Sequence, residues 1–70
     1  MIIEIGIVAG EIWQLLDKHG TINIGEINDK LKRPEYLVLM SLGWLGREGH
    51  IIIDWKQSEP YKDHKVTLRK

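Results

Sequence analysis

The feature that most constrains this chain is residues 23–53, NIGEINDKLKRPEYLVLMSLGWLGREGHIII, where two segments of helical period flank a polar corner and a glycine leads into a β-branched run. Asn23 has the side chain of a helix N-cap, able to accept a backbone N–H of the first turn, and Glu26 three residues on completes a capping box. Ile24, Ile27 and Leu31 then share one face. Lys32 and Arg33 form a corner closed by Pro34, which disfavours helix at Arg33 but suits the first turn of a new one. The spacing predicts a second helix from about Pro34 through Tyr36, Leu39 and Trp44 to Gly49, which is free to take positive φ and so to end it.

Beyond Gly49, residues 50–55 are strand-like, with Ile51, Ile53 and Trp55 on one face by period two. Residues 56–63, KQSEPYKD, form a polar turn containing Pro60. Residues 65–69 return as a strand, Val66 and Leu68 inward, Lys65, Thr67 and Arg69 outward. Upstream, residues 3–19 repeat apolar side chains at Ile5, Val8/Ala9, Ile12 and Leu15/Leu16, with Glu4, Glu11, Gln14 and Lys18 opposite, and Gly20 ends this helix. The short stretch Thr21-Ile22-Asn23 has room for one bridge to the hairpin. The order is that of a winged helix-turn-helix: an α+β fold of three helices with a small antiparallel sheet, the wing hairpin plus one short strand. One domain is expected over residues 1–70.

Seventy residues bury only about 60% of the surface their unfolded chain exposes, so the core is marginal and a partner subunit would help. Without cysteine there is no disulfide or thiolate metal site, and His19, His50 and His64 lack the close spacings of metal ligands. No metal, other cofactor or small-molecule substrate is expected. The apolar N-terminal segment MIIEIGIVAG carries Glu4, has no basic flank and is far shorter than the roughly 20 residues that span a bilayer. It is read as part of the fold, with no membrane contact and a cytoplasmic location.

Ten basic and ten acidic residues balance, which is poor for nucleic-acid binding, but they are segregated. Residues 1–29 hold one basic and five acidic side chains (1 − 5 = −4); residues 30–70 hold nine and five (9 − 5 = +4). Such a dipolar chain can present its positive end to phosphate. The candidate DNA contacts are Lys30, Lys32 and Arg33 at the corner, Tyr36 and Arg47 on the third helix, and Lys56, Lys62 and Lys65 around the wing. His64, Arg69 and Lys70 are also near the wing, while Glu59 and Asp63 dilute its charge. A solvated face is the plain alternative.

On the third helix Val38, Leu42 and Leu45 form an inward stripe. Tyr36, Met40, Gly43, Trp44 and Arg47 are then left outside, with Leu37 at the edge. A groove-reading helix should offer Arg, Lys, Asn, Gln, Ser or Thr to base edges, and this one offers mostly hydrocarbon and an indole. Exposed Met, Trp and Tyr point instead to protein contact, with Ile7 and Trp13 of the first helix, off its central stripe, as further candidates beside Met40 and Trp44. A wheel rotated by about 90° would make Leu37, Ser41, Trp44 and Leu45 core instead, and for Ile7 and Trp13 the plain alternative is a small protein filling its core. Gly43 and Gly46 read as sites of close helix packing. No phosphate loop and no nucleophile with a histidine partner is present, so an enzyme is not expected.

GEIWQLLDKHG, INIGEINDKL and PEYLVLMSLGWLGREGHI together resemble a bacterial and archaeal family of winged helix-turn-helix domains of unknown function, DUF2582, over nearly the whole chain. The Leu42-Gly43-Trp44-Leu45 segment ending in Arg47-Glu48-Gly49 is its most distinctive part. The resemblance implies the fold; it carries no activity and no catalytic residues. The expectation is a DNA-binding or transcription-related module, homodimeric, with a protein-interaction winged helix that does not touch DNA as the alternative.

Overall fold

In the computed structural model, which describes residues 1–54 and 56–69, the chain runs α1 (Ile2–His19), β1 (Ile22–Asn23), α2 (Ile24–Leu31), α3 (Glu35–Arg47), β2 (Ile51–Asp54), a 3₁₀ turn (Tyr61–Asp63) and β3 (Lys65–Leu68). The strands form one antiparallel sheet in the order β1-β3-β2. Ile22 pairs with Val66, while Ile51, Ile53 and Asp54 face Leu68, Val66 and Lys65. The short upstream strand thus stands beside the hairpin, and a Thr21–Thr67 hydroxyl bond of 2.8 Å ties that edge. The expected strand face at Trp55 and the basic Lys70 lie outside the described residues.

Each boundary has a local cause. Gly20, at φ 81°, ends α1. Asn23 caps α2 by accepting the Glu26 N–H at 2.8 Å; this is one half of the expected capping box. Lys32, not a glycine, takes the left-handed conformation (φ 54°) that turns the corner, and its N–H bonds the Asn28 carbonyl. Pro34 is the cap of α3 rather than its first residue, its carbonyl accepting from Leu37 and Val38. At the other end Gly49, φ 77°, donates to Gly46 O and His50 donates to Leu45 O, the paired bonds of a Schellman motif.

The core lies where the three helices meet the sheet. Val8, Ala9, Ile12 and Leu16 of α1 pack with Ile24 and Ile27 of α2, Leu37, Val38, Leu42 and Leu45 of α3, and Ile22, Ile51, Val66 and Leu68 of the strands. The buried face of α3 falls between the two wheels considered from sequence: Leu37 and Ser41 join the Val38 stripe, while Trp44 stays half-exposed. Ser41 is admitted because its hydroxyl donates to Leu37 O (2.7 Å), with Ile5 O of α1 a more distant alternative acceptor at 3.3 Å. The close-packing reading of Gly43 and Gly46 is overturned. Both are exposed, and a Cβ at either would meet nothing within 4 Å.

Candidate nucleic-acid and protein interfaces

The wing end of the sheet carries Lys56, Lys62 and Lys65, all exposed. It is more ordered than its polar sequence implies. The segment folds into the Tyr61–Asp63 turn and lies on the first turn of α2: the Ile24 N–H donates to His64 O at 3.1 Å. A Cβ on Gly25 would touch the Cβ and carbonyl oxygen of Lys62 at 3.4 Å. His64 donates from Nε2 to the Lys56 carbonyl at 3.3 Å, closing the loop on itself. The three lysines are therefore held on a small frame of backbone contacts.

The other basic candidates are not gathered there. β3 puts Lys65 and Arg69 about 13 Å apart. Arg69 donates its N–H to His50 O, and its guanidinium lies beside Gly49 near the end of α3. Lys32 sits at the far end of α2, about 10 Å of helix from Gly25. Lys30 lines an open cleft between α1 and α2 with Glu11, Gln14 and Lys18.

Arg33 is committed elsewhere. Its Nε and Nη2 donate to the two carboxylate oxygens of Glu11 at 3.0 and 2.7 Å, a bidentate pair joining the corner to α1. Those hydrogen bonds, and the Glu11 charge, raise the guanidinium further above its ordinary value. Of the two cations beside Pro34, Arg33 is thus paired, and Lys32 is exposed. On α3, Tyr36 and Arg47 are exposed, with Arg47 in the last turn. Between them the outward face shows Leu39, Met40 and Gly43.

The second candidate surface is apolar and joins α1 to α3. Trp44 of α3 lies against Ile2, Ile5 and Gly6 around a cleft of about 400 Å³. A neighbouring depression of about 280 Å³ brings Trp44 together with Trp13, Gly10 and His50. The Trp44 and His50 rings stand 6.2 Å apart, tilted by 36°. Two of the four expected interface residues, Trp13 and Trp44, are thus exposed on this seam, Met40 continues the Trp44 stripe one turn away, and Ile7 is exposed on α1 outside the two clefts. Sequence reasoning missed Ile2 and Ile3, the two most exposed of the large apolar side chains, and Gly6 and Gly10 between them and Trp13. The signal was present: Ile3, Ile7 and Gly10 recur at helical spacing on the side away from the core stripe.

Among the described residues no group of three His, Cys, Asp or Glu side chains is placed to hold a metal ion, and no helix is long and apolar enough to cross a membrane.

Three helices, a polar corner and a β-hairpin with one extra strand define a winged helix-turn-helix. The winged helix-turn-helix domain model DUF2582 matches residues 2–64, 63 of the 70, and the chain belongs to that family. Comparison with curated proteins and with solved structures gave no match.

Proposed function

We propose that this chain is a transcription-related, non-enzymatic module of the cytoplasm that works as a homodimer and holds duplex DNA by its phosphates rather than by its base edges. The observation that carries the reading is the wing: Lys56, Lys62 and Lys65 are all exposed on it, and its 3₁₀ turn docks on α2. Lys32 at the corner adds a fourth cation. The outward face of α3 supports the same limit. With Tyr36, Leu39, Met40 and Gly43 along it and only Arg47 to offer a base edge, α3 has little with which to tell sequences apart.

Such binding is weak and steep in salt. Four neutralised phosphates give a slope of log K against log salt near −3.6, with little preference between duplexes. Titration of a labelled random duplex at about 50 mM salt tests it. The double variant Lys56→Glu with Lys65→Glu should abolish binding without unfolding, because both side chains are solvent-exposed. Absence of binding by the folded wild type would refute the DNA reading. Sequence-specific binding that survives the swap would refute the wing as its site.

The second reading is a winged helix that binds protein and not DNA. It is favoured by one observation, the apolar surface that α1 and α3 leave in water.

A further inference from the structure

Exposed on one protomer are Ile2 (86%), Ile3 (76%), Ile7 (53%), Trp13 (43%), Met40 (44%) and Trp44 (46%). With a large side chain presenting about 200 Å² or somewhat more when fully exposed, these six leave about 700 Å² of apolar surface in water. A stable interface of standard size covers about 800 Å² on each partner. The patch alone nearly supplies that area, on a chain whose own core is marginal.

We infer that this face is occupied by a second copy of the chain, with α1 lying antiparallel to α1 of its partner across Gly6 and Gly10. The inference rests on the homodimer reading above and specifies its surface. Two features select a copy over another partner. The first is the absence of charge. Along the outward side of α1 the residues are Ile2, Ile3, Gly6, Ile7, Gly10, Trp13 and Gln14, whereas Glu4 and Glu11 lie on the side toward α2 and the corner, where Glu11 is paired with Arg33. Within residues 2–14 this side carries no charged side chain, so the overlapping stretch needs no complementary field and can meet itself.

The second feature is shape under a two-fold axis. Centred between Gly6 and Gly10, antiparallel α1 helices set each residue i against residue 16 − i of the other copy. Gly6 then meets the partner's Gly10, and Trp13 meets the partner's Ile3. No Cβ stands at the two central positions, and one built there would meet nothing of its own protomer within 4 Å, so the two backbones can approach closely. The large side chains fall at the ends of the overlap. There the clefts beside Trp44 can receive them, one of about 400 Å³ and the other about 280 Å³. Asp17 lies beyond the overlap and remains in water. The wing lysines belong to the sheet and α2 end, and stay free for phosphate.

Sedimentation equilibrium over about 5 to 500 µM, bracketing the micromolar affinities of many interfaces of this size, tests the inference with three proteins. The wild type is expected to be dimeric at the upper end. Gly10→Glu should weaken the dimer at least 100-fold while keeping its helical circular dichroism, because the site has space for a side chain and glutamate favours helix over glycine. Ile52→Glu, on an exposed position of β2, should leave the dimer intact. Register is read by oxidising a mixture of Gly6→Cys and Gly10→Cys protomers, which should give cross-linked heterodimers in preference to either homodimer, since the natural chain has no cysteine. A monomeric wild type at the highest concentration overturns the homodimer reading and this inference together. A dimer that survives Gly10→Glu, or that is lost with Ile52→Glu alone, overturns this inference and leaves the homodimer reading standing.

Discussion

Replacing Gly43 and Gly46 by alanine should stabilise the chain, although Gly43 belongs to the characteristic Leu42-Gly43-Trp44-Leu45 segment and Gly46 directly follows it. A glycine inside a helix costs about 1 kcal/mol relative to alanine, because its unfolded backbone has more freedom to lose. What could cancel that gain is steric, and here nothing does: a Cβ at either position meets no atom within 4 Å. Each single change is therefore worth about 1 kcal/mol and the pair about 2 kcal/mol, since two methyl groups three residues apart on an open face barely interact. With an unfolding entropy of about 2.1 cal/mol/K per residue, a chain of this length gains about 7 °C in Tm for each kcal/mol. Gly49→Ala is the opposite case. Its φ of 77° forces an L side chain into the left-handed region, at a cost of about 1 to 2 kcal/mol, and breaks the geometry that closes α3. Urea unfolding followed by far-UV circular dichroism, at one fixed protein concentration so that association does not shift the midpoint, reads all three. Loss of stability in Gly43→Ala or Gly46→Ala would refute the reasoning and restore close packing as the role of these glycines.

Asn23→Ala, which removes the cap accepted from Glu26, should cost about 1 kcal/mol in the same assay, and an unchanged midpoint would mean that the β1 pairing alone starts α2. Asn28 sits on the buried stripe of α2 with both amide atoms enclosed and unbonded, so Asn28→Leu should gain about 1 kcal/mol; a loss would show that the amide is satisfied in solution. A double-mutant cycle on Glu11 and Arg33 should return little or no coupling despite the bidentate geometry, because both side chains keep a third or more of their surface in water, and a strong coupling would show that the pair is shielded from solvent. In a duplex titration Arg33→Ala should leave the salt slope unchanged, whereas Lys62→Ala should reduce it by about 1, and equal effects would mean that the Glu11 pair opens for DNA. Amide exchange should be fastest over residues 56–60 and slower at Ile24 and His64, whose N–H groups are bonded; uniformly fast exchange through residue 64 would show that the wing does not rest on α2.

The elements of this fold are written locally. Asn23, Pro34 and the Gly20 and Gly49 stops act within four residues of themselves, so the ends of the helices could be read before any contact was known. Period-two burial of Val66 and Leu68, and period 3.6 along α1, are likewise properties of short segments. The charge segregation was legible for the same reason, being a count along the chain. Three things were decided only by the tertiary structure. Arg33 was a free cation by sequence until packing of α2 on α1 brought Glu11, 22 residues away, within 2.7 Å. The wing read only as a polar turn until strand pairing brought its 3₁₀ turn against Gly25 at the start of α2. The buried arc of α3 was ambiguous by about 90° because Leu37, Ser41 and Trp44 are all acceptable beside a core. Packing against α1 buried Leu37 and Ser41, the Ser41 hydroxyl being satisfied within its own helix by Leu37 O, and left Trp44 at the rim with Ile2 and Gly6. A sequence records what each residue can do along its own helix or strand, but which side chains meet across elements depends on how the helices and sheet pack, and the apolar face of this chain is made there.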